Sequence, residues 1–233
     1  MKCVQTKCLY GFTKQFLPTP QIACSNNATI ALMRCLQEGN NRNCLLRHLV
    51  YYAAPVLRGH RIAVLLTLSG SCDRRRIEWE RTGADAVDML GLSCFPMIRS
   101  STSTSVLLYD RDGLAFTFSE PYTKSILCMD AYPFESGLDD MFAHLNKRFC
   151  HGSSPQEFPH EIGLFLGFPP KDVSSFIKFH GKNYLFCGHW KVYHDLDMAL
   201  TKMRASTTAR ELAASMLLRH VGVEEIVDRL KAA

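Results

Sequence analysis

Long apolar runs are missing from this 233-residue chain. No uncharged apolar stretch reaches about 18 residues, the length that a membrane-spanning helix needs. The N-terminal segment is apolar in places, but charged residues and prolines interrupt it at Lys2, Lys7, Lys14, Pro18 and Pro20. We therefore expect neither a membrane span nor a signal peptide, and no membrane partner.

Several catalytic and metal-binding signatures are also absent. The chain has no C-x-x-C pair, no G-x-S-x-G elbow, no phosphate loop of the Walker type and no dinucleotide fingerprint. Its ten cysteines are scattered, and a chain of this length can bury a core without disulfide staples. We expect mostly reduced thiols and a cytoplasmic protein.

Positive charge is not concentrated enough to indicate nucleic-acid binding. The formal charge of +5 comes largely from short runs such as Arg74, Arg75 and Arg76, which suit a solvated helix face. Near the C-terminus, a break at residues 220–222 between two predicted helices has the profile of a helix–turn–helix. Its second helix carries Glu224 and Glu225, which phosphates would repel, and an ordinary helical hairpin is the simpler interpretation.

With 47% hydrophobic residues, the chain is predicted to be an α+β protein, a single domain of short antiparallel hairpins packed by helices, with a helical C-terminus. Residues 1–42 are expected to form a Cys-rich appendage with one helix at 27–37. Residues 43–206 are expected to form the main domain, and residues 207–233 helices packed on it.

Local patterns predict the elements of the main domain. A helix over 43–54 should end at Pro55, an apolar run should form a strand over 61–68, and a helix should follow over 73–90. Residues 105–109 and 114–118 flank Asp110-Arg111-Asp112-Gly113, which predicts a hairpin. Further helices are predicted over 136–149 and 195–231.

The segment 158–193 concentrates polar and aromatic residues between turn signals. Its prolines and glycines predict two short helices that abut at the Gly167–Pro170 corner, the second ending near Gly181. Residues 184–186 and 190–193 predict a second hairpin. We expect the functional site in this segment.

Two residues near Pro159 are candidates for catalysis. His160 and Glu161 would occupy the first turn of a helix, where free backbone N–H groups can hold an anion. His160 could act as an acid, a base or a ligand, oriented by Glu161. The alternative is a capping arrangement that binds nothing.

The predicted hairpin supplies candidate ligand-binding residues: Lys182, Tyr184, Trp190, Lys191 and Tyr193. The two lysines would neutralise an anionic group and the tyrosines would donate hydrogen bonds. The alternative is that these aromatic residues only pack. His160 and Lys182 are expected to face one hollow.

A metal site is a further possibility, because Cys150, His151, His160, His180, Cys187, His189 and His194 crowd into one region. Short ligand pairs typical of zinc are missing apart from Cys187-x-His189. Metal ligands and cofactors therefore stay unassigned.

The runs FPHEIGLFLGFPPKDV and GKNYLFCGHWKVY resemble the hallmark of a domain-of-unknown-function family found mainly in Clostridia and related anaerobes. Upstream, Ala54-Pro55-Val56-Leu57 with Gly59 resembles the A-P-T-L-x-G segment of that family, and the likeness spans residues 45–206. Family members carry His-Cys before the Ala-Pro pair, where this chain has Tyr52-Ala53, and a later family cysteine corresponds to Ser206.

The resemblance implies an intracellular α/β-type protein in anaerobic redox or iron metabolism, and it implies no activity. Together the residues favour a protein or enzyme that binds a small anionic molecule. A protein-interaction module and a metal- or cofactor-binding protein stand as alternatives. The reaction, if there is one, and the oligomeric state stay open.

Overall fold

The structure, a computed structural model, describes residues 44–69, 74–99, 103–151 and 158–232. The predicted N-terminal appendage and its helix lie outside these residues. Within them the chain is α+β, as predicted. Its helices are α1 Cys44–Leu57, α2 Arg74–Leu90, α3 Arg111–Ser119, α4 Pro121–Cys128, α5 Leu138–His151, α6 Ile162–Phe165, α7 Pro170–Lys178, α8 Leu196–Leu218 and α9 Val223–Lys231. Its strands are β1 Ala63–Ser69, β2 Ser93–Arg99, β3 Ser103–Tyr109, β4 Phe186–Cys187 and β5 Lys191–Val192.

The described residues fall into two compact units. The sheet unit contains residues 44–69, 74–99, 103–111 and 201–232, and the hairpin unit contains residues 112–151 and 158–200. The sequence-based boundaries after residues 42 and 206 stay predictions.

The sheet unit is built on three antiparallel strands in the order β1-β3-β2. Tyr109 of β3 lies opposite Ala63 on one side and Ser93 on the other. The register of β2 shifts between Pro96 and Ile98. A proline that cannot donate to the ladder is tolerated on such an irregular outer strand.

One helix dominates the core of the sheet unit. Twelve of the fourteen residues of α1 are buried, and α9 packs against both α1 and α2. Side chains of Leu49, Leu108, Leu217 and Leu230 are fully buried in the same cluster. Such complete burial fits a helix enclosed on most sides, because an amphipathic helix would leave a polar face in solvent.

The predicted hairpin over residues 105–118 is wrong in its second half. Residues 105–109 lie in β3, but residues 114–118 belong to α3. Leu114 and Phe118 are buried, whereas Phe116 is 68% exposed. The prediction rested on the turn residues Asp110 to Gly113, but the chain forms a helix there, in which Leu114 and Phe118 share a face because they are four residues apart. Strand β3 pairs with β1 and β2 instead.

The predicted helix end at Pro55 is also wrong, because α1 continues to Leu57. Proline removes one helical hydrogen bond, but only the last turn follows it here. Val56 and Leu57 are buried, which favours the extra turn. The Pro55 carbonyl then accepts hydrogen bonds from the backbone N–H groups of His60 and Arg61.

Other elements agree with the sequence. Strand β1 and helices α2 and α5 lie where they were predicted within about two residues. Helices α6 and α7 flank the Gly167–Pro170 corner, and β4 pairs with β5 antiparallel, although each strand has only two residues. In the part of the chain that the structure describes, no helix is long and apolar enough to cross a membrane.

Candidate functional site

A buried carboxylate joins helix α7 to the β4–β5 hairpin. Asp172 lies in the first turn of α7 and is 2% exposed. Its Oδ2 accepts a hydrogen bond from the Trp190 indole N–H at 2.8 Å, and its Oδ1 accepts the backbone N–H groups of Tyr193 and His194 at 2.9 and 3.0 Å. A buried carboxylate is tolerated only when such donors replace water. Asp172 therefore fixes where the hairpin lies on the helix.

The ammonium of Lys191 is held in place beside this anchor. Its Nζ donates to the Gly181 carbonyl at 2.8 Å and lies 5.5 Å from the ring centre of Phe176 and 5.0 Å from that of Tyr184. Both distances are within the range of cation–π attraction. Gly181 has φ +70°, and a Cβ there would approach Phe176 to 2.9 Å. Only glycine therefore fits this close approach.

Tyr193, two residues after Lys191 in the chain, presents a shielded hydroxyl. Its ring stacks on Phe179 with 6.0 Å between ring centres. Its Oη is buried and has no hydrogen-bond partner among the described residues. Burial, followed by the negative charges of Asp172, Tyr184 and Cys187, raises the pKa of Tyr193 to about 12. The phenol is therefore a protonated donor near neutral pH.

The five predicted ligand-binding residues are not equally placed. Lys191 lies over the Tyr184 ring, and Tyr193 follows two residues later on the same hairpin. Lys182 is exposed on the turn before the hairpin. Trp190 is buried, stacks on Phe168 and donates to Asp172. We therefore assign Trp190 a packing role, which was the alternative for the aromatic residues.

Glu161 lies in a second buried cluster of the hairpin unit. Its Oε1 accepts hydrogen bonds from the Tyr132 hydroxyl, at 2.8 Å, and from Nε of Arg148. Arg148 also pairs with Asp130 at 2.8 Å. Burial raises the pKa of Glu161 although Arg148 and Tyr132 pull it down. The hydrogen bonds of this carboxylate tie α5 to the segment before α6.

The expected placement of His160 and Glu161 in the first turn of a helix is wrong, and the anion site predicted there stays a prediction. Helix α6 has only four residues, and both His160 and Glu161 precede it in a turn. Four residues align too few peptide dipoles to attract an anion appreciably. The Glu161 side chain makes no capping hydrogen bond, so the simple capping alternative fails as well.

His160 is enclosed by aromatic rings. Its ring centre lies 5.2 Å from those of both Phe158 and Phe176. Burial, helped by the positive charges of His180 and Arg148, lowers its pKa to about 4. The imidazole is therefore neutral at pH 7, where it can accept a proton or bind a ligand. Phe176 contacts both His160 and Lys191, but a hollow shared by His160 and Lys182 stays a prediction.

The candidate metal ligands are dispersed. No three His, Cys, Asp or Glu side chains within the described ranges are grouped so as to hold a metal. His194 hydrogen-bonds Ser175 at 2.9 Å, and His180 is exposed. The side chains of Cys150 and His151 lie outside the described residues. Cys44, Cys94, Cys128 and Cys187 form no disulfide bond.

Sequence reasoning missed Asp172, Phe176, Arg148 and Tyr132. Asp172 carries a local signal, because an acidic residue two positions after Pro170 suits a first helical turn. That signal predicts capping rather than contact with residues about 20 positions away. Arg148 and Tyr132 carry no local signal, since their partner Glu161 is defined by tertiary packing.

Replacing Asp172 with Ala should lower the free energy of unfolding by at least about 3 kcal/mol, because one indole and two backbone donors lose their acceptor. Urea unfolding measures the loss, and amide exchange at Tyr193 and His194 should accelerate. The control is Asp139→Ala, which removes an exposed first-turn carboxylate. Equal losses in the two variants would contradict the anchoring role.

The low pKa of His160 predicts a pH-dependent stability. The unfolded imidazole binds a proton near pH 6.5 and the folded one only near pH 4. The contribution of the neutral His160 to the free energy of unfolding is therefore complete above about pH 6.5, and it is lost as the pH falls towards 4. The drop in unfolding free energy between pH 7 and pH 5 should be smaller in His160→Phe, which keeps an aromatic ring between Phe158 and Phe176. An imidazole that titrates near 6.5 by NMR would contradict this prediction.

The comparisons with known proteins agree with the sequence resemblance at the level of family. The chain matches no curated protein and no solved structure. The model of one family, described as proteins of unknown function (DUF3793), matches residues 49–227, which is well over half of the chain and includes the whole hairpin site. The chain therefore belongs to the DUF3793 family of proteins of unknown function.

Proposed function

We propose that this protein binds a small anionic molecule on the surface formed by Lys182, Tyr184, Lys191 and Tyr193, hereafter the hairpin surface. The observation that carries the proposal is that one short hairpin carries both a fixed ammonium and a shielded phenol. Lys191 is held by the Gly181 carbonyl and two aromatic rings, and Tyr193 keeps a buried O–H with no partner in the described part of the chain.

The chemistry of these groups favours an oxyanion. The Lys191 ammonium has three N–H donors, of which Gly181 takes one. The exposed Lys182 adds charge at the edge. Tyr193 is a protonated donor, and hydrogen bonds from such donors are strongest to charged acceptors such as carboxylate or phosphate oxygens.

Binding is better supported than catalysis. A neutral His160 could serve as a base, but its ring lies among those of Phe158 and Phe176. The Glu161 carboxylate already accepts hydrogen bonds from Arg148 and Tyr132.

The family resemblance implied a link to anaerobic redox or iron metabolism. We carry this link over as a proposal about the metabolism in which the ligand takes part. Retention of a redox-active molecule or iron by anaerobically purified protein, seen by native mass spectrometry, would test it.

A protein partner is the second candidate function. Phe179, Tyr184 and Leu185 are 37%, 43% and 63% exposed. Apolar side chains of this size grouped near lysines are typical of protein-interaction surfaces. In this case the lysines would face acidic residues of the partner.

Titration calorimetry with citrate and pyrophosphate tests the small-molecule proposal. Tyr193→Phe removes one buried donor and should weaken binding about tenfold to a hundredfold, since a hydrogen bond to a charged group contributes about 1.5–3 kcal/mol. Lys182→Gln, at an exposed position, should weaken it only about two- to fivefold. Both effects should be measured at one salt concentration because salt screens exposed charges.

The matched control is Lys171→Gln, which removes an exposed positive charge from the start of the same helix α7. It should leave both affinities nearly unchanged. The proposal fails if neither anion binds, or if Lys171→Gln weakens binding as much as Tyr193→Phe. Leu185→Ser separates the two candidates, since it should disrupt a protein partner and leave citrate or pyrophosphate binding intact.

A further inference from the structure

The turn that joins α7 to the β4–β5 hairpin, residues 178–185 and hereafter the exposed turn, presents apolar and charged side chains together. Leu185 is 63% exposed, and Phe179 and Tyr184 are exposed in the same turn. Nζ of Lys178 lies 5.4 Å from the ring centre of Phe179, so an ammonium and an apolar ring adjoin one another. The exposed turn is therefore amphipathic.

Negative charge is missing from the solvent-facing side chains of this part of the hairpin unit. Between residues 158 and 194 the carboxylates are those of Glu161 and Asp172, and both are buried and accept internal hydrogen bonds. The lysines of the same segment are exposed or partly buried: Lys171, Lys178, Lys182 and Lys191. Residues 158–194 therefore present only positive side-chain charge to solvent.

The elements that pack against α7 do not reverse this charge. Helices α4 and α6 and strand β5 all contact α7. Their charged residues are Lys124 and Lys191, and none of the three elements contains a carboxylate. The next carboxylate along the chain is Asp195, which follows the hairpin. The positive potential around the exposed turn is therefore favourable for an anionic partner.

The backbone of the exposed turn is hydrogen-bonded within the hairpin unit. The N–H group of Lys182 donates to the Phe179 carbonyl at 2.9 Å, and that of Leu185 donates to the Val192 carbonyl at 2.8 Å. A backbone group that loses water without gaining a partner costs free energy. These hydrogen bonds reduce that cost when the apolar side chains of the turn leave water.

The residue types of the exposed turn favour a lipid surface over a protein. Lysine is depleted in protein interfaces relative to the rest of the protein surface. At a membrane surface, leucine and aromatic side chains enter the boundary between headgroups and acyl chains, and lysine stems lie along it while their ammonium groups reach the phosphates. Lysines interleaved with Phe179, Tyr184 and Leu185 match the second pattern.

We propose that the exposed turn docks this protein on a membrane surface that contains anionic phospholipid. The proposal rests on the proposed function, since both require the hairpin to attract oxyanions, and it names lipid phosphate as their source. Leu185 and the aromatic rings enter the headgroup boundary, and the lysines contact the phosphates. Docking of this kind needs no spanning helix. It departs from the sequence-based expectation that the protein has no membrane partner.

Sedimentation of the purified full chain with lipid vesicles tests the docking. The protein should bind vesicles that contain equal parts of phosphatidylglycerol and phosphatidylcholine. Vesicles of phosphatidylcholine alone should bind it at least about tenfold more weakly, because each lysine near an anionic surface contributes about fivefold to the affinity. Added salt should weaken binding to the anionic vesicles.

Two substitutions separate the apolar from the charged contribution. Leu185→Ser should weaken binding to the anionic vesicles about tenfold, and Lys182→Gln should weaken it about fivefold. Because both side chains are exposed, Tm should stay nearly unchanged. The matched controls are Leu212→Ser and Lys202→Gln, which remove an exposed leucine and an exposed lysine from α8 of the sheet unit. Both controls should bind the vesicles like the wild type.

The outcomes distinguish this proposal from the proposed function. The docking is overturned if the protein binds no vesicles, or binds them equally with and without phosphatidylglycerol, even where citrate or pyrophosphate still binds. Equal losses in Leu185→Ser and Leu212→Ser would also overturn it, because apolar surface in general would then contact the lipid. Binding to anionic vesicles without binding of either free anion would support the docking and contradict the small-molecule proposal.

Discussion

The hairpin surface depends on the buried carboxylate of Asp172. Strands β4 and β5 have two residues each, and so short a ladder cannot hold a hairpin by itself. Asp172 supplies the hydrogen bonds that the short ladder lacks, because its carboxylate accepts from the Trp190 indole and from the backbone N–H groups of Tyr193 and His194. The positions of Lys191 and Tyr193 follow from that attachment. The same contacts explain why Trp190 has a packing role.

The two units treat buried charge differently. In the hairpin unit, Glu161 is matched by Arg148 and Tyr132, and Asp172 by N–H donors, so the buried carboxylates are satisfied within the protein. In the sheet unit, the phenol of Tyr52 is buried beside Arg210 and Arg75, whose positive charges oppose the rise of its pKa. Carboxylates satisfied by N–H and O–H donors favour the stability of the hairpin unit.

Several departures from the expected family residues lie in the sheet unit. Tyr52, which stands where the resemblance implied histidine, contacts His48 and Arg210. Ala53 and Ser206, which stand where it implied cysteines, are buried, and Ser206 donates to the Lys202 carbonyl of its own helix. In this chain a phenol therefore stands where an imidazole was expected, and a methyl and a hydroxyl group stand where thiols were expected.

Local sequence patterns were sufficient to predict those elements for which residue spacing and turn residues indicate the same structure. The apolar run of β1, the charged periodicity of α2 and the proline and glycine corner at 167–170 all predicted what the structure has. They were insufficient at Leu114 to Phe118, where spacings of two and of four residues coincide. They were also insufficient at Pro55, where burial of the next two residues outweighs the lost hydrogen bond.

In the candidate site, the lysines and tyrosines of the hairpin were predicted from composition. Asp172 and Phe176 were missed because their contacts join α7 to residues of the hairpin, and no local pattern encodes them.

Chemical-shift mapping of the labelled full chain during titration with citrate and with pyrophosphate tests the central claim most directly. The account predicts saturable shifts in the amides of residues 181–194 and in the Tyr193 ring, which carries the shielded donor. Saturation of the protein with both anions without any change at these positions would contradict it.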